Sequence, residues 1–134
     1  MWSLAEVGAT SRMVFARSWG VEAEADTYWI LYTLDVSDPA AFLAAMDTLR
    51  GSATGQKMGG STYLSGVAAA GLTPVSHIVS AGFSSAAEAE KSNEMLFASE
   101  DWAAFQKATD GISTFHGAFV LRTLKTWGTP PATP

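Results

Sequence analysis

The chain has 134 residues, 48% hydrophobic and 16% charged, enough apolar material for one compact domain and too much for chain-long disorder. Thirteen acidic against eight basic residues give a formal net charge of −5, and the basic residues run from Arg12 to Lys125 without a cluster, so there is no electrostatic footprint for nucleic acid. Cysteine is absent, which removes disulfides, thiolate nucleophiles and cysteine-held zinc or iron–sulfur sites.

The longest apolar runs are shorter than the ~20 residues that span a bilayer, and the N-terminus lacks a basic region ahead of an apolar one. The expectation is a soluble, cytoplasmic protein with no membrane partner. Near the N-terminus, Arg12-Met13-Val14-Phe15-Ala16-Arg17-Ser18-Trp19-Gly20 is echoed by Val120-Leu121-Arg122-Thr123-Leu124-Lys125-Thr126-Trp127-Gly128. Each copy is β-prone and ends in a basic residue, a hydroxyl residue, Trp and Gly. The echo bounds one folding unit but names no chemistry. Met13, Phe15 and Trp19 alternate with Arg12, Ala16 and Ser18, which predicts a strand over Arg12–Trp19 that joins a sheet.

An acidic connector from Val21 to Asp26 leads into Thr27–Val36, which is apolar on both alternating faces and reads as a central strand. Asp38-Pro39 is an N-cap followed by a first-turn proline, and Phe42, Met46 and Leu49 recur at helical spacing up to the stop at Gly51. Residues 51–60 hold four glycines and read as a loop or frayed helix end. A phosphate-binding loop is rejected there, because Gln56 separates Gly55 from Lys57, Met58 follows the lysine, and the next element reads as a strand.

Ser61–Ala70 and Val75–Phe83 form a predicted hairpin across Gly71-Leu72-Thr73-Pro74. Ser85-Ala86-Ala87-Glu88 is a capping box, with Ala86, Ala89, Asn93 and Leu96 on one helical face. A break at Ala98-Ser99 precedes a second cap, after which Trp102, Phe105 and Gln106 share a face. The last strand is expected from about Phe115 to Trp127, and the proline-rich residues 129–134 form a tail. The whole reads as a single domain: strand and connector over 1–25, a core over 26–128, and the tail.

Strand, helix, strand, strand, helix, strand is the split βαβ order. It predicts an α+β fold with a four-stranded antiparallel sheet, both helices on one face and the N-terminal strand as an addition. The other sheet face, carrying a share of Trp29, Leu31, Tyr63, Val67 and Leu124, is too apolar to face water alone.

This element order, with Ser99-Glu100-Asp101-Trp102-Ala103-Ala104-Phe105 as a cap-aromatic-aromatic helix before the last strand, resembles the dimeric α+β barrel proteins of the ferredoxin-like superfamily. That group includes antibiotic-biosynthesis monooxygenases, haem-degrading monooxygenases and stress-responsive A/B-barrel proteins. The resemblance implies a homodimer closed sheet to sheet, and a pocket between sheet and helices. The haem-degrading branch uses Asn, Trp and His together. This chain has Asn93, Trp102 and His77, but Asn93 lies in the second helical region rather than on a first strand, so that role is not transferred.

His77 shares a strand face with Val75, Val79, Ala81 and Phe83, and it ranks first among candidate functional residues, although a hydrogen-bonded core histidine is the commoner outcome. His116 belongs at a surface or turn. In this strand order the two histidines stand about 10 Å apart across an intervening strand, so no metal site is expected, and no cofactor is assigned. There is no Gly-x-Ser-x-Gly elbow and no Cys–His pair. Asp35 and Asp47 are read as solvated charges.

Three readings remain. One is a small-molecule-binding or cofactor-free oxygenase-like protein with a pocket at Tyr32, His77 and Trp102 for an apolar or aromatic ligand. Another is a non-enzymatic binding or stress protein using the same cavity. The third is a structural subunit that recruits partners by strand-edge pairing.

Overall fold

A computed structural model of the chain describes residues 12–20, 26–69, 75–125 and 127–128. The connector at 21–25, the hairpin turn at 71–74 and the tail at 129–134 lie outside the described residues. The elements run β1 (Arg12–Trp19), β2 (Tyr28–Val36), α1 (Pro39–Gly51), α2 (Ala53–Lys57), β3 (Ser61–Ala69), β4 (His77–Phe83), α3 (Ala86–Phe97), α4 (Glu100–Thr109) and β5 (Ser113–Arg122).

The five strands form one sheet in the order β1-β3-β4-β2-β5, with every neighbouring pair antiparallel. Strands β5, β2, β4 and β3 are the ferredoxin-like set, and β1 extends it along the outer edge of β3. The two segments of the sequence echo therefore sit on opposite edges of the sheet. Both of their closing glycines, Gly20 and Gly128, take a positive φ that other residues adopt with strain.

Residue parity sets the faces. Tyr28, Ile30, Tyr32, Leu34 and Val36 of β2 point with Val79, Ala81 and Phe83 of β4 toward the helices. Phe42, Met46, Leu64, Val36 and Val79 make the main core on that side. Phe42 is nearly inaccessible; truncation of a buried phenylalanine typically costs about 3–5 kcal/mol. On the opposite face Trp29 lies across Gly82, where an added Cβ would come within 2.6 Å of the indole ring, and its Nε1–H donates to Thr123 Oγ1 at 3.2 Å. Tyr63 stands beside it, with ring centroids 6.0 Å apart.

Helix boundaries follow their caps. Asp38 accepts from the Ala41 N–H, Ser85 from Glu88 and Ser99 from Trp102, so each helix begins where a side chain takes an otherwise unmet backbone donor.

Four expectations change. The loop at 51–60 contains the short helix α2, because Ser52 caps it by accepting from the Gly55 N–H. The last strand ends at Arg122 rather than Trp127, since β2 begins at Tyr28 and the Thr123 N–H to Thr27 carbonyl bond is the final rung. The helical side carries four helices instead of two. Strand β1 does not keep a simple alternation: a bulge at Ala16 leaves Phe15 opposite Ser65 on the bare face, against the Tyr63 ring, and turns Arg17 and Trp19 to the helices.

A cavity between sheet and helices

Helices α1, α3 and α4 and the facing side of the sheet line an open cavity of about 590 Å³, within the range of small-molecule sites. Helix α1 contributes Phe42, Met46, Leu49 and Arg50, which recur along one stripe of the helix. Helix α3 contributes Asn93, Leu96 and Phe97, and α4 contributes Trp102, Phe105, Gln106 and Thr109. The sheet floor includes Tyr32, Leu34, Thr62, Val79, Ala81, Phe83 and Phe115.

The break at Ala98-Ser99 gives this wall its aromatic character. It starts α4 afresh, so that Phe97 at the end of α3 meets Trp102 at 5.0 Å, Trp102 stacks on Phe105 at 5.1 Å, and Phe105 meets Phe42 of α1 edge-on at 5.9 Å. Phe97 and Phe115, 49% and 60% exposed, mark the mouth beside the β5 edge.

The polar groups on the wall are few. Burial raises the proton affinity of the Tyr32 phenol above the ordinary tyrosine value, with the neighbouring Asn93 amide pulling the other way. Tyr32 is accordingly a neutral phenol at neutral pH, whose O–H can donate a hydrogen bond. Arg50 lines the cavity near the C-terminal end of α1.

Of the three residues expected to meet, Tyr32 and Trp102 both line this cavity, and His77 is not among the lining residues. His77 opens β4, paired with Leu34 and Gly66, one step along its face beyond Val79. Its Nδ1 lies 2.9 Å from Ser76 Oγ, which also accepts the Val36 N–H at 2.7 Å. Partial burial lowers the His77 pKa, and the negative charge of Asp35 opposes that shift. His116 is the extra residue at an exposed β5 bulge, between Phe115 and Gly117. Strand β2 separates the two histidines, and no group of three or more potential metal ligands occurs among the described residues.

The glycine-rich segment has its own occupants. The Gly55 N–H is taken by Ser52 and the Thr54 N–H by the Asp101 carboxylate, whose pKa is lowered by Thr54.

Sequence reasoning missed Arg50 and left Asn93 as a face residue. The available signal for Arg50 was its spacing, four residues beyond Met46 and eight beyond Phe42, which puts a cation on an apolar stripe. Asp47, expected as a solvated charge, instead accepts the Trp19 Nε1–H at 2.7 Å and pairs with Arg17 at 3.1 Å.

No family model matches the sequence, and no curated protein matches it. Solved structures of similar fold include the following three. A candidate monooxygenase from Lactobacillus acidophilus NCFM aligns with a TM-score of 0.51 at 11% identity, covering 84% of this chain and 49% of that one. A major regulator of staphylococcal pathogenesis aligns with a TM-score of 0.52 at 14% identity, covering 84% and 68%. A NIPSNAP family protein of unknown function from Agrobacterium tumefaciens str. C58 aligns with a TM-score of 0.50 at 17% identity, covering 76% and 92%. The chain thus spans about half the length of the first of these. The class they define is the ferredoxin-like α+β fold, as the strand order requires. No helix among the described residues is long and apolar enough to cross a membrane.

Proposed function

We propose that this protein binds a small apolar or aromatic molecule between its sheet and its helices, and that it does so as a homodimer of the α+β barrel type. The observation that carries the binding reading is the aromatic cavity itself. A space of about 590 Å³ walled by Phe42, Trp102 and Phe105 is costly to leave as water-filled apolar surface, and a ligand offsets that cost.

Tyr32 and Trp102 are proposed as ligand contacts, the phenol as donor and the indole as a flat wall. Monooxygenase-like chemistry, as in the name of one structural neighbour, is the alternative. Ligand binding is favoured over it because the cavity wall is mostly apolar and aromatic and carries no imidazole.

The dimer reading is supported by the bare sheet face. Trp29, Leu31 and Phe119 lie there, Phe119 is 59% exposed, and such a surface is more apolar than a lone soluble chain ordinarily presents.

The binding test uses the neutral fluorophore N-phenyl-1-naphthylamine. Titration into the native protein should give saturable enhancement, and Gln106→Trp, which puts bulk on an exposed lining position, should abolish it. No enhancement with the native protein rejects the cavity as a ligand site.

A further inference from the structure

Resting on the reading of the cavity as a ligand site, we propose that its ligand is an organic monoanion, an aromatic or apolar body with one carboxylate, and that the Arg50 guanidinium receives the carboxylate. Arg50 is one of the cavity-lining residues. Its Nε and Nη1 atoms are buried and have no hydrogen-bond partner among the described residues. Folded proteins pair nearly all of their buried polar groups, and a guanidinium with unmet donors is an expensive exception.

The usual escapes are closed. An arginine does not shed its proton at neutral pH; burial pulls its proton affinity down, and no carboxylate among the described residues opposes that shift. The ion pair found among the described residues joins Arg17 to Asp47, and Asp110, which also lines the cavity, makes none with Arg50. Placement in the last turn of α1 gives Arg50 some benefit from the helix dipole, but a dipole supplies no acceptor to the unmet N–H groups.

The position suits an incoming acid. A Cβ placed on Gly20, just after β1, would lie 2.9 Å from Arg50 Nη2, so the guanidinium is on the β1–β3 side, across the sheet from the mouth at Phe97 and Phe115. A ligand entering beside β5 would run its apolar body along Trp102, Phe105 and Phe42 and bring its head group to Arg50 at the far end. The planar fork of a guanidinium matches the two oxygens of a carboxylate, and the low-polarity walls strengthen that contact.

Isothermal titration with 2-naphthoate and its uncharged isostere 2-naphthamide tests this. The native protein should bind the acid at least about tenfold more tightly than the amide, as expected for a charge-assisted pair. In Arg50→Met the acid should fall to the amide's affinity on the same variant, whereas Arg50→Lys should keep part of the preference. Equal binding of acid and amide by the native protein overturns the role of Arg50 and leaves the cavity reading standing. Failure of both to bind overturns the cavity reading and this inference together. The native comparison decides the matter even if Arg50→Met fails to fold.

Discussion

Trp19 and Asp47 are 28 residues apart in the chain and joined in the fold by an indole N–H to carboxylate bond of 2.7 Å. This bond pins the edge strand β1 to the outer side of α1, and Arg17 adds a second attachment to the same carboxylate at 3.1 Å. The two contacts are unequal. The Arg17 and Asp47 side chains are 51% and 39% exposed, so solvent screens their ion pair to roughly 0–1 kcal/mol. A hydrogen bond to a charged acceptor is worth about 1.5–3 kcal/mol. Asp47→Ala is therefore expected to lower stability in urea denaturation distinctly more than Arg17→Ala. Equal losses would mean that the indole bond contributes nothing.

Deleting residues 1–25 should lower the melting temperature by more than Asp47→Ala does. It strips the whole β1 ladder from Arg12 to Trp19 and leaves the edge of β3 unpaired. A differential scanning calorimetry trace that superimposes on that of the full chain would reduce β1 to a dispensable addition.

His77 gives a prediction with a defined pH sense. Its folded pKa is lowered by burial, so between that value and the ordinary 6.5 the unfolded chain binds more protons than the folded one. The stability tied to His77 is thus present above pH 6.5 and is lost as the pH falls through the folded pKa. In His77→Phe this acid-side loss should shrink, while N-phenyl-1-naphthylamine binding stays unchanged because His77 is outside the cavity lining. The stability cost at pH 8 should be small, below about 1 kcal/mol, since Ser76 Oγ keeps the Val36 N–H. Loss of probe binding in a folded His77→Phe would restore His77 to the site.

The bare sheet face predicts the state of assembly. Light scattering should report twice the chain mass of 14.1 kDa, and Phe119→Lys, which sets a charge beside Leu31 on the β5 side of that face, should yield folded monomer. A native protein that scatters as a monomer would require the face to be covered within one chain. A Phe119→Lys variant that remains dimeric would move the interface elsewhere.

Local physics was legible in the sequence. Strand β1 spans the residues that alternation proposed, α1 starts at its Asp-Pro signal, and Ser85 and Ser99 cap α3 and α4, because caps and periodicity act over a few residues and their partners lie in the same window. The element order was enough to predict the ferredoxin-like sheet, and the apolar residues on its second face were visible from parity alone. Tertiary structure decided what depends on partners distant in the chain. The Ala16 bulge separates Phe15 from Trp19 because β3 offers one residue where β1 has two. The last strand stops at Arg122 because β2 runs out. Tyr32 and Trp102 share a cavity that His77 does not line, since along one strand face Val79 is buried in the lining and His77, one step further, is only half-buried beyond it. Arg50 was merely a helix-end cation until packing buried its guanidinium beside an aromatic space, and no local pattern records whether a partner is waiting there.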